Sequence, residues 1–275
     1  MVMSLAFERQ LVLVSVVFLL TATVVQFAGL IFRRAAYWPT ATLYTGVVMV
    51  LGAAIAGRWI RENQGPFLTL YDILLSGVFS LTFMFLLISV LAPAVRGGSL
   101  VTSPLLLVLG GWLTNVSELA VPLPGAFKTP WLWAHVLSGK LFLGFCLAAM
   151  ATAVVMLIYG AGSGEWSSRL TPVPEESEKM IWVLLFAAFI CHSFMLVAGA
   201  VWAHSAWGHY WSWDPLETWT LVTWLMLGGT LLARATFRNM TKGLGPVLVT
   251  ASFGVAVLTF FGVPFFSIAP HKGLR

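Results

Sequence analysis

The stretch V-W-A-H-S-A-W-G-H-Y-W-S-W-D-P-L-E-T-W, Val201 to Trp219, decides how the chain is read. It carries five of the thirteen tryptophans, at 202, 207, 211, 213 and 219, and two of the five histidines, His204 and His209. Long apolar segments flank it on both sides. The stretch is too polar to cross a bilayer and too aromatic for an ordinary solvent loop. It predicts a flat platform at a membrane surface, suited to a large planar apolar ligand.

Working outward, 59% of the 275 residues are hydrophobic and 9% are charged, against roughly 25% charged in a soluble domain. That balance predicts an integral membrane protein, folded as one polytopic domain over residues 1–275. The apolar runs have the length that a spanning helix needs and lack the alternation of barrel strands. The expected fold class is therefore all-α. Eight transmembrane helices are drawn at 11–32, 40–57, 69–91, 99–116, 131–160, 180–201, 217–233 and 246–266, with the Trp-rich stretch between helices six and seven. The first run is longer than a signal-peptide core and no small-residue cleavage site follows it, so it is read as a retained span. The connections are too short to hold an extramembrane domain.

The net charge of +5 is spread over short loops without a basic stripe. It speaks for membrane orientation, with lipid as the surroundings, and against a nucleic-acid partner. Cys146 and Cys191 lie in apolar runs, and without a C-x-x-C there is neither a dithiol redox motif nor a zinc knuckle. Eight spans place both termini and the loops after spans two, four and six on one side. That side holds six Lys and Arg residues against eight on the other, so it is expected to be extracytoplasmic. It gathers the Trp-rich stretch, His135 at the start of span five, His204, His209, and His271 just past span eight. His192 stands apart, about midway along span six.

A Trp-rich surface stacks on a planar ligand and offers indole N–H donors to its polar edge. A pair of histidines from separate helices suits axial ligation of an iron above and below such a plane. Haem meets both requirements. His135 and His271 are the preferred ligands because each is anchored at a helix end, and the cofactor surface is expected from Trp202, Trp207, Gly208, Trp211 and Trp213. His192 has two readings, a ligand at bilayer level or a hydrogen bond to a neighbouring helix. Asp214 to Glu217, D-P-L-E, reads as N-cap, Pro at N1 and Glu at N3 of span seven, a capping-box pattern preferred here to acid–base chemistry. Lys140, inside span five, is expected to snorkel toward the histidine-rich side, with pairing to a haem propionate as the sharper alternative. Arg58 and Arg61 are expected to be exposed on that same side.

The run Trp207 to Trp219 resembles the tryptophan-rich WWD signature of haem-handling proteins in cytochrome c biogenesis. Within that superfamily the chain is similar to the CcsA (ResC) family, the membrane subunit of the System II cytochrome c synthase. Gly199 to Ala203, Arg58 to Asp72, W-L-W-A-H-V at Trp131 to Val136, and His271 extend the resemblance over nearly the whole chain. It implies that His135 and His271 are axial ligands to haem b on the extracytoplasmic face of a bacterial cytoplasmic or a thylakoid membrane. It also implies a haem-presenting, catalytic loop of Trp207, Trp211, Trp213 and Asp214, a CcsB/ResB-like partner subunit, and an apocytochrome c whose C-x-x-C-H thiols receive the haem. Two positions depart from the family pattern: Leu216 stands where a Lys is usual, and Leu232 where a His is usual near the far end of span seven. Two other readings remain. One is a CcmC-like carrier that presents haem to a chaperone without bond formation, a type with about six spans. The other is a structural or quinone-binding subunit whose tryptophans are only an interfacial belt.

Overall fold

The structure is a computed structural model that describes residues 3–65, 69–120, 129–159, 174–237 and 243–262. In lipid a single segment satisfies its backbone amides only by closing them into a helix, and each apolar run does so. The helices are α1 (Leu5–Ile31), α2 (Tyr37–Glu62), α3 (Leu70–Leu91), α4 (Ser99–Leu113, entered through a 3-10 stretch at Pro93–Gly98), α5 (Pro130–Tyr159), α6 (Pro174–Trp207), α7 (Pro215–Thr236) and α8 (Leu244–Val257). The last continues into a π-helical turn, Leu258–Gly262. Eight helical segments are long and apolar enough to cross a membrane, and no strand occurs among the described residues. The chain is an all-α, multi-pass membrane protein.

The helices outrun the apolar windows that announced them. Helix α6 begins at Pro174 and ends at Trp207, six residues beyond the expected 180–201 at each end. Helix α2 covers Tyr37–Glu62 rather than 40–57. The expected loop at Val201–Trp219 is thereby corrected. Val201–Trp207 is helix, α7 starts at Pro215, and only residues 208–214 are non-helical.

Helix α5 lies at the centre, packed against α3, α4, α6 and α8. Two thirds of its most apolar window, 67%, is buried. Its alanines 148, 149, 151 and 153 are fully buried. Small residues let helix backbones approach closely, which matters where lipid is as apolar as any side chain and packing must drive association. Polar side chains join the helices as well. Gln26 Nε2 donates to Thr40 Oγ1 and Ser99 Oγ, both at 2.8 Å, tying α1 to α2 and α4. The Thr223 and Thr259 hydroxyls meet at 2.8 Å, tying α7 to the π turn.

Arg58 and Arg61 are not exposed, contrary to expectation. Arg58 is only 2% exposed. Its Nε donates to Asp72 Oδ1 at 2.7 Å, and its Nη1 donates to Glu8 Oε1 at 3.4 Å and to the Glu118 carbonyl at 3.0 Å. Arg61 Nη2 reaches Glu8 Oε2 at 2.6 Å. Carboxylates on α1 and α3 draw both guanidiniums inward, away from solvent. Asp72 also closes a capping box with Thr69 at the start of α3. The Lys140 ammonium donates to the Ile73 carbonyl at 3.3 Å. Ile73 lies in the first turn of α3, so the side chain bends toward the end of the bundle that the snorkelling reading named.

Candidate functional site

The C-terminal turns of α6, the 208–214 connection and the start of α7 build one aromatic surface, with α5 behind it. Each part has a local cause. Helix α6 stops at Gly208, whose φ of +81° is the left-handed conformation that glycine adopts at little cost. Its N–H donates to the His204 carbonyl at 2.9 Å, the single-bond form of a left-handed C-cap. Helix α7 starts at Asp214, an extended N-cap whose Oδ1 accepts from the Glu217 N–H at 2.8 Å, with Pro215 in the first turn. The reciprocal half of the expected capping box is different. Glu217 Oε2 accepts from the Ser212 N–H at 2.6 Å and from Ser212 Oγ at 3.1 Å. The carboxylate therefore ties the connection to the helix instead of satisfying the Asp214 amide.

Between these elements lies a notch of about 70 Å³, lined by His135, Gly199, Trp202, Trp207, Tyr210, Trp211, Leu216 and Thr220 among others. His135 comes from the second turn of α5. Its ring is stacked near Trp202, with centroids 6.3 Å apart and planes at 21°. Trp202 in turn meets the edge of Trp207 at 5.0 Å. The His135 ring approaches α6 because residue 199 is glycine. A β-carbon there would lie 2.7 Å from His135 Nδ1. In that position Nδ1 donates to the Met195 carbonyl at 2.9 Å. A carbonyl only accepts, so Nδ1 carries a proton; in the neutral ring the lone pair is then on Nε2, the arrangement by which proteins orient a metal-binding imidazole. The Trp211 indole N–H is buried and has no hydrogen-bond partner among the described residues.

The structure thus brings His135, Trp202, Trp207 and Trp211 together. Trp213 lies outside the notch, edge-on to Trp211 at 5.8 Å and 68% exposed. It holds φ of +59°, a region that bulky residues rarely occupy. Gly208 and Asp214 shape the helix ends on either side. His204 stacks on Tyr210 at 4.2 Å, and His209 lies 6.5 Å from Trp207; both are exposed. His192 makes a hydrogen bond to the neighbouring helix α7. It is fully buried, packs on Phe142 at 4.3 Å and donates from Nε2 to the Thr220 carbonyl at 3.1 Å. It reaches the notch only through that backbone. His271 lies outside the described residues. Sequence reasoning missed Tyr210 and the Met195 carbonyl. Tyr210 stood within the quoted stretch, whereas a backbone acceptor leaves no mark on the residue that bears it. Leu216, where the family pattern has Lys, lines the notch.

Fold and site together define a class: a multi-pass membrane protein that presents an indole-rich surface beside an oriented histidine at one end of its bundle. Residues 5–271 match the family model described as Cytochrome C assembly protein, and the chain belongs to that family. It is 29% identical to the cytochrome c biogenesis protein CcsA of Synechococcus elongatus, across 78% of this chain and 81% of that one. It is 28% identical to CcsA of Pyropia yezoensis, across 90% and 94%. The fold is shared with a solved structure named cytochrome c heme lyase CcmF, at a TM-score of 0.66 and 18% identity. That match covers 93% of this chain and 46% of the other, so the chain spans about half of that protein's length. The chain is CcsA-like and has a role in cytochrome c maturation.

Proposed function

We propose that the chain binds haem b on this aromatic surface and serves its covalent attachment to an apocytochrome c. The site would face the extracytoplasmic side of a bacterial cytoplasmic or a thylakoid membrane, in complex with a CcsB/ResB-like subunit. The observation that carries the reading is His135, which donates from Nδ1 to the Met195 carbonyl in a notch walled by Trp202, Trp207 and Trp211. An imidazole held in that tautomer has the lone pair on Nε2 for iron. His271 would be the second histidine to hold the iron. The residues fit a porphyrin in two further ways. The Trp211 N–H is a buried donor that a polar ligand edge would satisfy. The notch, at about 70 Å³, admits one edge of a planar molecule and leaves the rest on the exposed rings.

Haem supplies two vinyl groups, and the C-x-x-C-H segment supplies two thiols. Each thiol adds across one vinyl, with sulfur bonding the carbon next to the macrocycle and the proton ending on the terminal carbon. No atom is lost and no oxidant is consumed. The chain's residues position and shield this addition. Trp207 and Trp211 hold the plane, Trp213 offers an exposed ring to the incoming peptide, and Asp214 fixes the connection by capping α7. The test is the reduced-minus-oxidised spectrum of the purified protein. The double variant H135G/H271G loses the haem signal, and added imidazole restores it. An unchanged spectrum in that variant overturns the ligand assignment. Co-expression with an apocytochrome and a CcsB-like subunit yields covalent haem; its absence, with haem still bound, points to a carrier.

A further inference from the structure

A second cavity lies on the opposite face of α5 from His135, between α2, α3 and α5. It measures about 580 Å³, within the range of pockets that hold small ligands. Its walls are almost wholly apolar. Trp59 and Trp133 stack at 5.2 Å and 24°, and Phe79 lies parallel to Phe83 at 6.2 Å. Trp59, Phe83, Trp133 and Leu137 are also exposed on the outer surface of the bundle, so the cavity opens toward lipid. One charge lines it, the ammonium of Lys140. Its hydrogen bond is to the Ile73 carbonyl at 3.3 Å, and no carboxylate of the described residues pairs with it. The ammonium lies beside Gly77, where a β-carbon would come to 3.8 Å from Nζ, ordinary contact distance.

A cation in apolar surroundings without a counter-anion is costly. Two other cations of this end of the bundle are matched: Arg58 and Arg61 are paired with Glu8, Asp72 and Glu62. Lys140 instead faces this cavity. Its Cα lies about 15 Å along α5 from Pro130 by helical rise, and its ammonium turns back to the first turn of α3. A single small anion on an apolar body suits both the one charge and the apolar walls. We propose that this cavity binds a membrane-dissolved amphiphile with a carboxylate head. The carboxylate pairs with Lys140 Nζ, and the apolar body lies along the Trp59–Trp133 and Phe79–Phe83 rings. Two sources share this chemistry, a long-chain fatty acid and a propionate-bearing tetrapyrrole. The inference does not depend on His135 or His271.

The experiment uses the purified full chain in neutral detergent with a spin-labelled stearic acid and its methyl ester. The acid should show a saturable immobilised component in the electron paramagnetic resonance spectrum. The ester, and the acid with K140M, should bind about tenfold or more weakly, as expected from loss of a charge-assisted hydrogen bond. K140R should retain binding. Equal binding of acid and ester, binding that K140M leaves unchanged, or no saturable component overturns the proposal; the last would leave the groove as a seat for another helix. If K140M fails to fold, the acid and ester on the wild type decide alone. Metal-free mesoporphyrin displaces the label if the natural source is a tetrapyrrole and leaves it in place if the source is a lipid-derived acid. H135G/H271G should bind the acid normally, so failure of the haem reading and failure of this one are separately visible.

Discussion

Two polar regions share one end of the bundle and are built on opposite principles. The cluster of Glu8, Arg58, Arg61 and Asp72 joins α1, α2 and α3, and its charges meet one another within 3.4 Å. Glu8, Arg58 and Asp72 are at most 3% exposed. The aromatic surface between α6 and α7 does the reverse. It keeps a tryptophan ring 68% exposed on a left-handed backbone, and it buries an indole N–H with no partner among the described residues. A site that answers its own polar groups is structural. A site that leaves donors and ring faces unanswered, at a cost in backbone strain, is arranged for something else to complete it.

The largest expected effect comes from breaking the first region. R58M leaves the Glu8 and Asp72 carboxylates buried without their shared cation. Removal of one partner of a buried ion pair costs about 3–5 kcal/mol. The variant should lose most of its folded yield and melt far earlier in detergent. R58K should recover little, because an ammonium cannot span two carboxylates and a backbone carbonyl as the guanidinium fork does. A normal melting curve for R58M would place the cluster with the ligand-completed sites instead.

The second region should respond in function rather than in folding. H135G is expected to lower bound haem about tenfold or more, equivalent to about 1.4 kcal/mol or more, with little change in melting of the haem-free protein. A smaller effect should follow from G199A. Its β-carbon would fall 2.7 Å from His135 Nδ1, so the ring must shift and the Met195 bond must weaken. Haem retention should drop several-fold, since local overpacking costs about 1–3 kcal/mol. In the H135G background G199A should add nothing. Additive losses on a spectroscopic titration would show that Gly199 acts elsewhere.

How much of this was legible in the sequence follows the same division. The eight spans were legible, because apolar runs of bilayer length stand out against 9% charged residues. Their ends were not. Hydropathy reports membrane thickness, whereas a helix continues until something caps it, and for α6 that is Gly208 beyond Trp207. The gathering of His135 with Trp202, Trp207 and Trp211 was legible as a shared membrane side, from the parity of the spans. The inward turn of Arg58 was hidden, because Glu8 lies fifty residues away in sequence and nothing local links them. Asp214 was readable as a cap because capping is local. The partner of Glu217 was misjudged because the route of residues 208–214, which brings Ser212 to the carboxylate, includes Trp213 in a conformation that its residue type disfavours.

Trp213 gives the smallest effect and the most discriminating one, because the two regions predict opposite signs for it. Were the surface a structural element like the ion cluster, removing this ring would destabilise the protein. The exposed ring contributes little burial, however, and its φ of +59° carries a strain of about 1 kcal/mol that glycine does not have. W213G should therefore leave the melting temperature of the haem-free protein unchanged or slightly raised. The same variant should lower the yield of covalently attached cytochrome in a co-expression assay, where the lost ring no longer meets the substrate. W213F, which keeps a ring and the strain, should hold most of that yield. A fall in stability together with unaltered cytochrome yield would mean that the exposed indole is packing for a neighbouring subunit rather than part of the surface that receives the substrate.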